Sequence, residues 1–254
     1  MFTLFIQPCF GLSIGTVEEP PGNFRDKNGK VTGISVDFVK EIQKRVNNKS
    51  HILILPGPRL IYNSIKEKNY VIFSLSRTKA RENKYHWISL VMRKPLVMFA
   101  KKGSNHNVKN LRDAKKVISV GVMRSSVQHN FLSENNFKNI YPVANHIQNL
   151  KKLMAGRVTL MYHSMQGAAI LCKDAGVDFN QLEPVLYPQI SKSSIAMSKN
   201  SDIEIVRKWQ KAAKDIKADG TFYKIAMKWL IYTEKNYGIK AEIKDGALNF
   251  WKEK

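Results

Sequence analysis

Short strand-like runs alternate with amphipathic helical segments along this chain, and the alternation occurs twice. In the first stretch, strands are predicted at 12–17, 51–55 and 70–74, with helices at 34–46 and 60–68 between them. Val36, Val39, Ile42 and Val46 recur at helical spacing, which defines the buried face of the first helix. A Pro-Pro-Gly turn at 20–22 and a hairpin-like Asp26–Gly29 turn separate the first strand from that helix. The second stretch repeats the plan after residue 104: strands at 117–122, 139–143 and 158–162, helices at 126–135, 147–155 and 165–175. A returning strand at 193–198 and two helices, 203–217 and 221–234, follow. Such alternation specifies α/β architecture. Two α/β units in one chain of 254 residues imply a cleft between them, where ligand sites are commonly built.

Charge narrows the partners. The chain carries 42 Lys+Arg against 20 Asp+Glu, a formal net charge of +22. Only ten of the basic residues are Arg and 32 are Lys, the poorer residue for bidentate recognition. There is no zinc-finger spacing, no basic region with heptads, and no basic run interleaved with aromatics, so nucleic acid is not an expected partner. No apolar run reaches the roughly 18 residues that cross a bilayer. Cys9 and Cys172 give no disulfide framework, and Cys172 reads as a small buried hydrophobe. The six His residues show no HxxxH or HExxH spacing, so no metal and no cofactor are expected.

Residues 1–11 are apolar and uncharged, resembling the end of a secretory signal without its basic start, with a buried first strand as the alternative. Pro8 and Gly11 fit a processing region better than a central strand, and Pro8 before Cys9 argues against a lipoprotein.

Five stretches carry a family resemblance. They are 24–37 (FRDKNGKVTGISVD), 74–81 (SLSRTKAR), 110–114 (NLRDA) ahead of 120–122 (VGV), 153–158 (LMAGRV), and 218–223 (ADGTFY) ahead of Lys228-Trp229. In order and spacing, over residues 12–232, they resemble the bacterial extracellular solute-binding proteins of family 3, the periplasmic receptors of amino-acid ABC transporters. The resemblance implies a type II periplasmic-binding-protein fold: two α/β lobes joined by two crossover segments, with a ligand cleft between them. Lobe one is then 12–97 plus 194–254, lobe two is 101–190, and the hinges lie at about 96–101 and 191–198. It further implies a periplasmic monomer that closes on a small anionic or zwitterionic ligand, hands it to a membrane ABC permease, and performs no chemistry.

The sharpest candidate site is 74–81. A strand gives way to a helix there, so free N–H groups can meet an anion and an Arg one turn on can clamp a carboxylate. By resemblance Arg81 binds the α-carboxylate, helped by Ser76 and Thr78, with Ser74 and Arg77 adjoining; a plain helix cap at Thr78 is the structural alternative. The run 121–126 (GVMRSS) offers a matching cradle, with Ser125 and Ser126 as caps or ligand contacts and Arg124 as a second cation. Arg77, Arg81 and Arg124 together favour an anionic group in the pocket. The aspartate that binds the α-amino group in this family falls at Ser164, so Glu18 or Glu19 is the expected replacement. Aromatic positions of related receptors read Glu19, Gly22 and Gly57, leaving Phe24 and Tyr62 as substitutes. Arg59 faces either the cleft or a surface acid. Trp87, Trp209 and Trp229 read as packing residues, and the tail 237–254 has no assigned role.

Two other classes share this pattern. A cyclohexadienyl-dehydratase-like enzyme needs a carboxylate acid or base in the cleft, for which Glu18 and Glu19 are the candidates. A ligand-sensing receptor lobe would belong to a longer chain with a membrane span.

Overall fold

The computed structural model describes residues 11–104 and 106–250. Cys9 and the suggested signal remnant, except Gly11, lie outside the described residues.

The first half begins with β1 (Ser13–Thr16), a small hairpin of β2 (Phe24–Arg25) and β3 (Val31–Thr32), and α1 (Ile34–Arg45). It continues through β4 (Ile52–Ile54), α2 (Gly57–Lys66) and β5 (Tyr70–Ser76). A 17-residue strand, β6 (Tyr85–Lys101), leads out of it. The second half holds a short α3 (Leu111–Ala114), then β7 (Val120–Met123), α4 (Val127–Glu134), β8 (Ile140–Val143) and α5 (His146–Met154). β9 (Leu160–Ser164) and α6 (Met165–Asp174) complete it. A second 17-residue strand, β10 (Leu182–Ser198), returns to the first half, followed by α7 (Ile203–Ala218) and α8 (Thr221–Tyr237). A final hairpin pairs β11 (Glu242–Lys244) with β12 (Ala247–Asn249).

The main sheet runs β4-β1-β5-β10-β6-β9-β7-β8. Each half places its first strand between its second and third, all three parallel, and the halves meet through the antiparallel β6·β10 ladder. β10 pairs with β5 over Ser193–Met197, and β6 pairs with β9 over Leu96–Phe99. The chain therefore crosses twice through paired, extended backbone between those contacts.

Side-chain alternation along the strands fills the layers. Val71 and Phe73 of β5 join the large cluster under α1, α7 and α8, while Tyr70, Ile72 and Leu75 face a smaller cluster with Leu60 and Tyr85. Along β6, Leu96, Met98 and Ala100 pack on one face of the second half, and Val97 and Phe99 on the other. The large cluster holds Phe38, Trp209, Phe222 and Trp229, which confirms the two late-helix tryptophans as packing residues. Cys172 is buried in the second half, as its apolar surroundings predict.

The family-like stretches largely serve this packing. Asp37 accepts hydrogen bonds from Trp229 Nε1 and Lys228 Nζ, both at 2.8 Å, tying α1 to α8. Gly33 has φ 130°, and a Cβ there would stand 2.2 Å from the Gly22 carbonyl oxygen, so only glycine permits this approach.

Three features differ from the sequence-based expectation. β10 is far longer than the strand predicted at 193–198, and β6 (Tyr85–Lys101) fills a stretch where no strand is predicted, because the two pair with each other along most of their length. The 3-10 turn after β5, Lys79–Lys84, is too short to be the regular helix expected there. The tail, left without a role, lays β12 parallel to β6 through Leu248 and Asn249, opposite Met92 and Arg93.

Leu248 is fully buried in the large cluster. Leu248→Ala is expected to destabilise the protein by about 2–5 kcal/mol in urea unfolding, whereas Ile118→Ala at a surface position should stay within about 0.5 kcal/mol. Equal effects would remove the tail from the core.

Candidate functional site

In open α/β sheets the space beyond the carboxyl ends of parallel strands is where helices start and ligands bind. Here both halves turn those ends toward one another around a cavity of about 680 Å³. The first half contributes 17–20 after β1, 54–57 from the end of β4 onward, and 72–76 of β5 with Arg81 beyond it. The second contributes 123 and 125–128 after β7, His146 after β8, and His163 and Gly167 at the end of β9, with Lys94, Leu96 and Ser191 of the crossing strands between. The N-termini of α4, α5 and α6 are thereby directed at the cavity, where their partial positive charge favours an anionic group.

Arg81 is the central cation. Its Nη1 donates to the Ser76 carbonyl at 3.1 Å, and among the described residues no carboxylate lies within 4 Å of its guanidinium. Burial works against the charged form, so its pKa is pushed below the ordinary arginine value. A mostly buried fork of N–H donors with one carbonyl partner is prepared for a planar acceptor such as a carboxylate. Ser76 Oγ lies 2.8 Å from Ser191 Oγ, and Ser191 stands directly opposite Lys94 in the β6·β10 ladder. Lys94 is 4% exposed and donates to Glu19 Oε1 at 2.5 Å. A continuous polar path thus runs from Arg81 over the crossing strands to the Glu19–Lys94 pair.

At the end of this path two imidazoles stack. The His146 and His163 rings are 3.9 Å apart at 14°, and the Nδ1 atom of each is buried with no hydrogen-bond partner among the described residues. Desolvation drives the His146 pKa down to about 4, with the Lys94 charge lowering it further and Glu19 opposing. His163 is depressed well below its ordinary value, first by burial and then by His146 and Lys94. Both rings are neutral at pH 7.

Of the residues the sequence puts forward, Ser74, Ser76, Arg81, Glu18, Ser125 and Ser126 line the cavity. Ser74 and Ser125 hold left-handed backbone, φ 56° and 59°, a conformation that costs a non-glycine residue about 1–2 kcal/mol and clusters at functional sites. Ser74 Oγ is already bonded to the Asn23 side chain, and Ser126 Oγ caps α4 by accepting from His129 N–H at 3.1 Å.

Seven expected contacts lie off the cavity. Arg77 pairs with Glu82, Nε to Oε2 at 2.9 Å, and covers the Trp87 ring, so its charge is spent on the surface. Thr78 begins the 3-10 turn without a side-chain cap, offering its carbonyl to Arg81 N–H. Phe24 packs edge-on to Trp229, centroids 6.0 Å apart, and against Tyr232. Arg59 is exposed on α2 beside Tyr70, and Tyr62 on the same helix is 64% exposed. Arg124 is exposed, with only its backbone engaged by Val143 O. Ser164 is 2% exposed and caps α6 by accepting from Gly167 N–H, so its neighbours His163 and Gly167 face the cavity instead.

The charge balance of the lining overturns the expectation of an arginine-rich pocket. Glu18, Glu19 and Asp174 face Arg81 and Lys94, one carboxylate in excess, although the whole chain is +22. Sequence reasoning missed Lys94, one lysine among 32, and Asp174 at the far end of α6. It missed the two histidines by testing them only for metal spacing. Their usable signal was position: each sits at the junction of a strand and the following helix, as Ser125 and Ser126 do. Among the described residues no group of three metal-ligating side chains occurs and no helix is long and apolar enough to cross a membrane.

A model of the bacterial extracellular solute-binding proteins, family 3, matches residues 12–232. The L-cystine-binding protein TcyA of Bacillus subtilis (strain 168) is 26% identical over 221 residues, 85% of this chain and 78% of that protein. An ancestral arginine-binding protein solved with arginine superposes with a TM-score of 0.71 at 25% identity, over 86% of this chain and 97% of that one. A histidine kinase sensor domain similar to periplasmic binding proteins gives a TM-score of 0.77 at 18% identity, over 87% and 96%.

The neutral imidazole of His146 gives a test of the site's electrostatics. The unfolded chain takes up its proton near pH 6.5 and the folded chain near 4, so stability falls as pH is lowered through that window. The melting temperature should drop between pH 6.5 and 4, and the drop should shrink in His146→Asn. An unchanged pH profile in the variant would show that burial does not keep this ring neutral.

Proposed function

This chain belongs to the bacterial extracellular solute-binding proteins, family 3, and we propose that it captures a small carboxylate-bearing solute, an amino acid or related polar compound. The observation that carries this reading is Arg81, which lines the cavity and has no carboxylate partner among the described residues. The α4, α5 and α6 N-termini add partial positive charge to the same cavity, and relatives are named for cystine and arginine. Excess carboxylate in the lining favours a ligand that also carries a cation, and Glu18 and Asp174 are the charged groups available to an α-ammonium in place of the aspartate lost at Ser164.

Capture proceeds by closure of the two lobes about the crossing strands, with residues near 96–101 and 191–198 absorbing the change, and without chemical alteration of the ligand. The protein acts as a monomer in the periplasm and presents its closed form to a membrane ABC permease. Family membership supports the extracytoplasmic setting; the permease follows from what such receptors serve.

A thermal-shift screen of amino acids tests this directly, since a ligand that binds only the folded state at 100 times its Kd adds about 2.7 kcal/mol of stability. At least one amino acid should raise the melting temperature, and Arg81→Met should abolish the shift. Without ligand, Arg81→Met should melt at or above the wild-type temperature, because it removes a buried charge that lacks a counter-ion. A ligand shift that survives the substitution would refute the carboxylate clamp.

A further inference from the structure

We propose that His146 and His163, both lining the cavity and the latter kept open to it by the missing side chain at Gly167, form a distal subsite that selects ligands ending in an uncharged hydrogen-bond acceptor, such as a carboxamide or carbonyl. This rests on the carboxylate-ligand reading of the same cavity and specifies the other end of the molecule.

A neutral imidazole has one N–H and one lone pair. Both Nδ1 atoms are buried without partners. Orphaned buried N–H groups are rarer than under-used acceptors, so the hydrogen-bond environment assigns the proton to Nε2 in each ring. The pair therefore presents donors. Gly167 keeps one of them reachable: a Cβ on this residue would lie 2.9 Å from His163 Nε2 and 2.6 Å from Ser164 Oγ. Gly167 sits in the first turn of α6, where alanine is the better helix former, yet it lines the cavity. Leaving that volume empty above His163 gives the glycine a role that helix propensity opposes.

The charges near this end decide the kind of acceptor. Lys94 is engaged by Glu19 at 2.5 Å, so its charge is matched before a ligand arrives. The rings are neutral, held so by burial and by Lys94. A second carboxylate on the ligand would enter a lining that already holds three carboxylates against two cations. A distal ammonium or guanidinium would meet N–H donors it cannot use. An uncharged acceptor takes the Nε2 protons without either conflict, and a site built to donate to it discriminates strongly against groups that leave those donors unpaired.

Isothermal titration of the full chain at pH 7.5 with glycine, L-glutamine, L-glutamate and L-lysine tests this. Glutamine should bind at least tenfold more tightly than glutamate or lysine. Gly167→Ala, and separately His146→Asn, should each lower the glutamine-to-glycine affinity ratio at least tenfold. His146→Asn keeps the Ser164 cap intact and carries the test if Gly167→Ala disturbs it. Glutamate or lysine binding as tightly as glutamine, or a ratio unchanged in a folded variant, overturns the subsite while leaving the Arg81 reading in place. Failure of all four probes to bind the wild-type chain overturns this subsite, and the carboxylate reading falls with it only if the thermal-shift screen of amino acids also gives no shift.

Discussion

Everything in this molecule hangs on the ladder between β6 and β10. Two 17-residue strands pair antiparallel from Leu182 opposite Lys101 to Ser198 opposite Tyr85. Each half of the sheet attaches to a different stretch of it: β5 to β10, β9 to β6. Because each half is parallel internally and attached in this crossed way, the carboxyl ends of both sets of strands face the same space. Helix N-termini, loop hydroxyls and Arg81 arrive there as a consequence of connectivity. Ser191 and Lys94, themselves rungs of the ladder, form the floor between the two walls.

That arrangement separates local electrostatics from global charge. A chain of +22 encloses a cavity whose ionised side chains sum to one negative charge. The described lysines are carried largely at exposed positions of helices, turns and loops, where water and salt screen them within about 8 Å at physiological ionic strength. Inside, each charge has a defined relation: Lys94 matched by Glu19, the imidazoles held neutral, Arg81 left open. Net charge consequently describes how the protein meets its surroundings, and the five ionised lining residues describe what it encloses.

Hydrophobic periodicity made the fold legible. Val36, Val39 and Ile42 marked α1 because that helix buries one face in a layered core, whereas β5 is an apolar run buried on both faces. The family-like stretches gave register, and Asp37 meeting Trp229 explains why two of them lie so far apart in sequence. β6 was harder to read, since its residues belong to both halves and its burial pattern changes partway along. At the site, Arg81 and Ser76 were legible from the strand-to-turn junction. Arg77, four residues from Arg81, was not separable from it until Glu82 and Trp87 were seen to hold its guanidinium outside. Phe24 failed likewise: an aromatic near a turn reads the same whether it faces a ligand or Trp229.

The closing hairpin carries a consequence for how the chain reaches this state. The cluster containing Leu12 also contains Leu248 and Phe250, whereas the buried members of the second-half clusters all lie between residues 96 and 182. Contacts of such different sequence separation form on different timescales, since closing a longer loop costs more entropy before any packing repays it. The second half has its complete set of partners as soon as β10 begins. The first half must wait for the closing hairpin, more than 230 residues after Leu12, so apolar surface on α1 and β5 stays uncovered until that hairpin has been made.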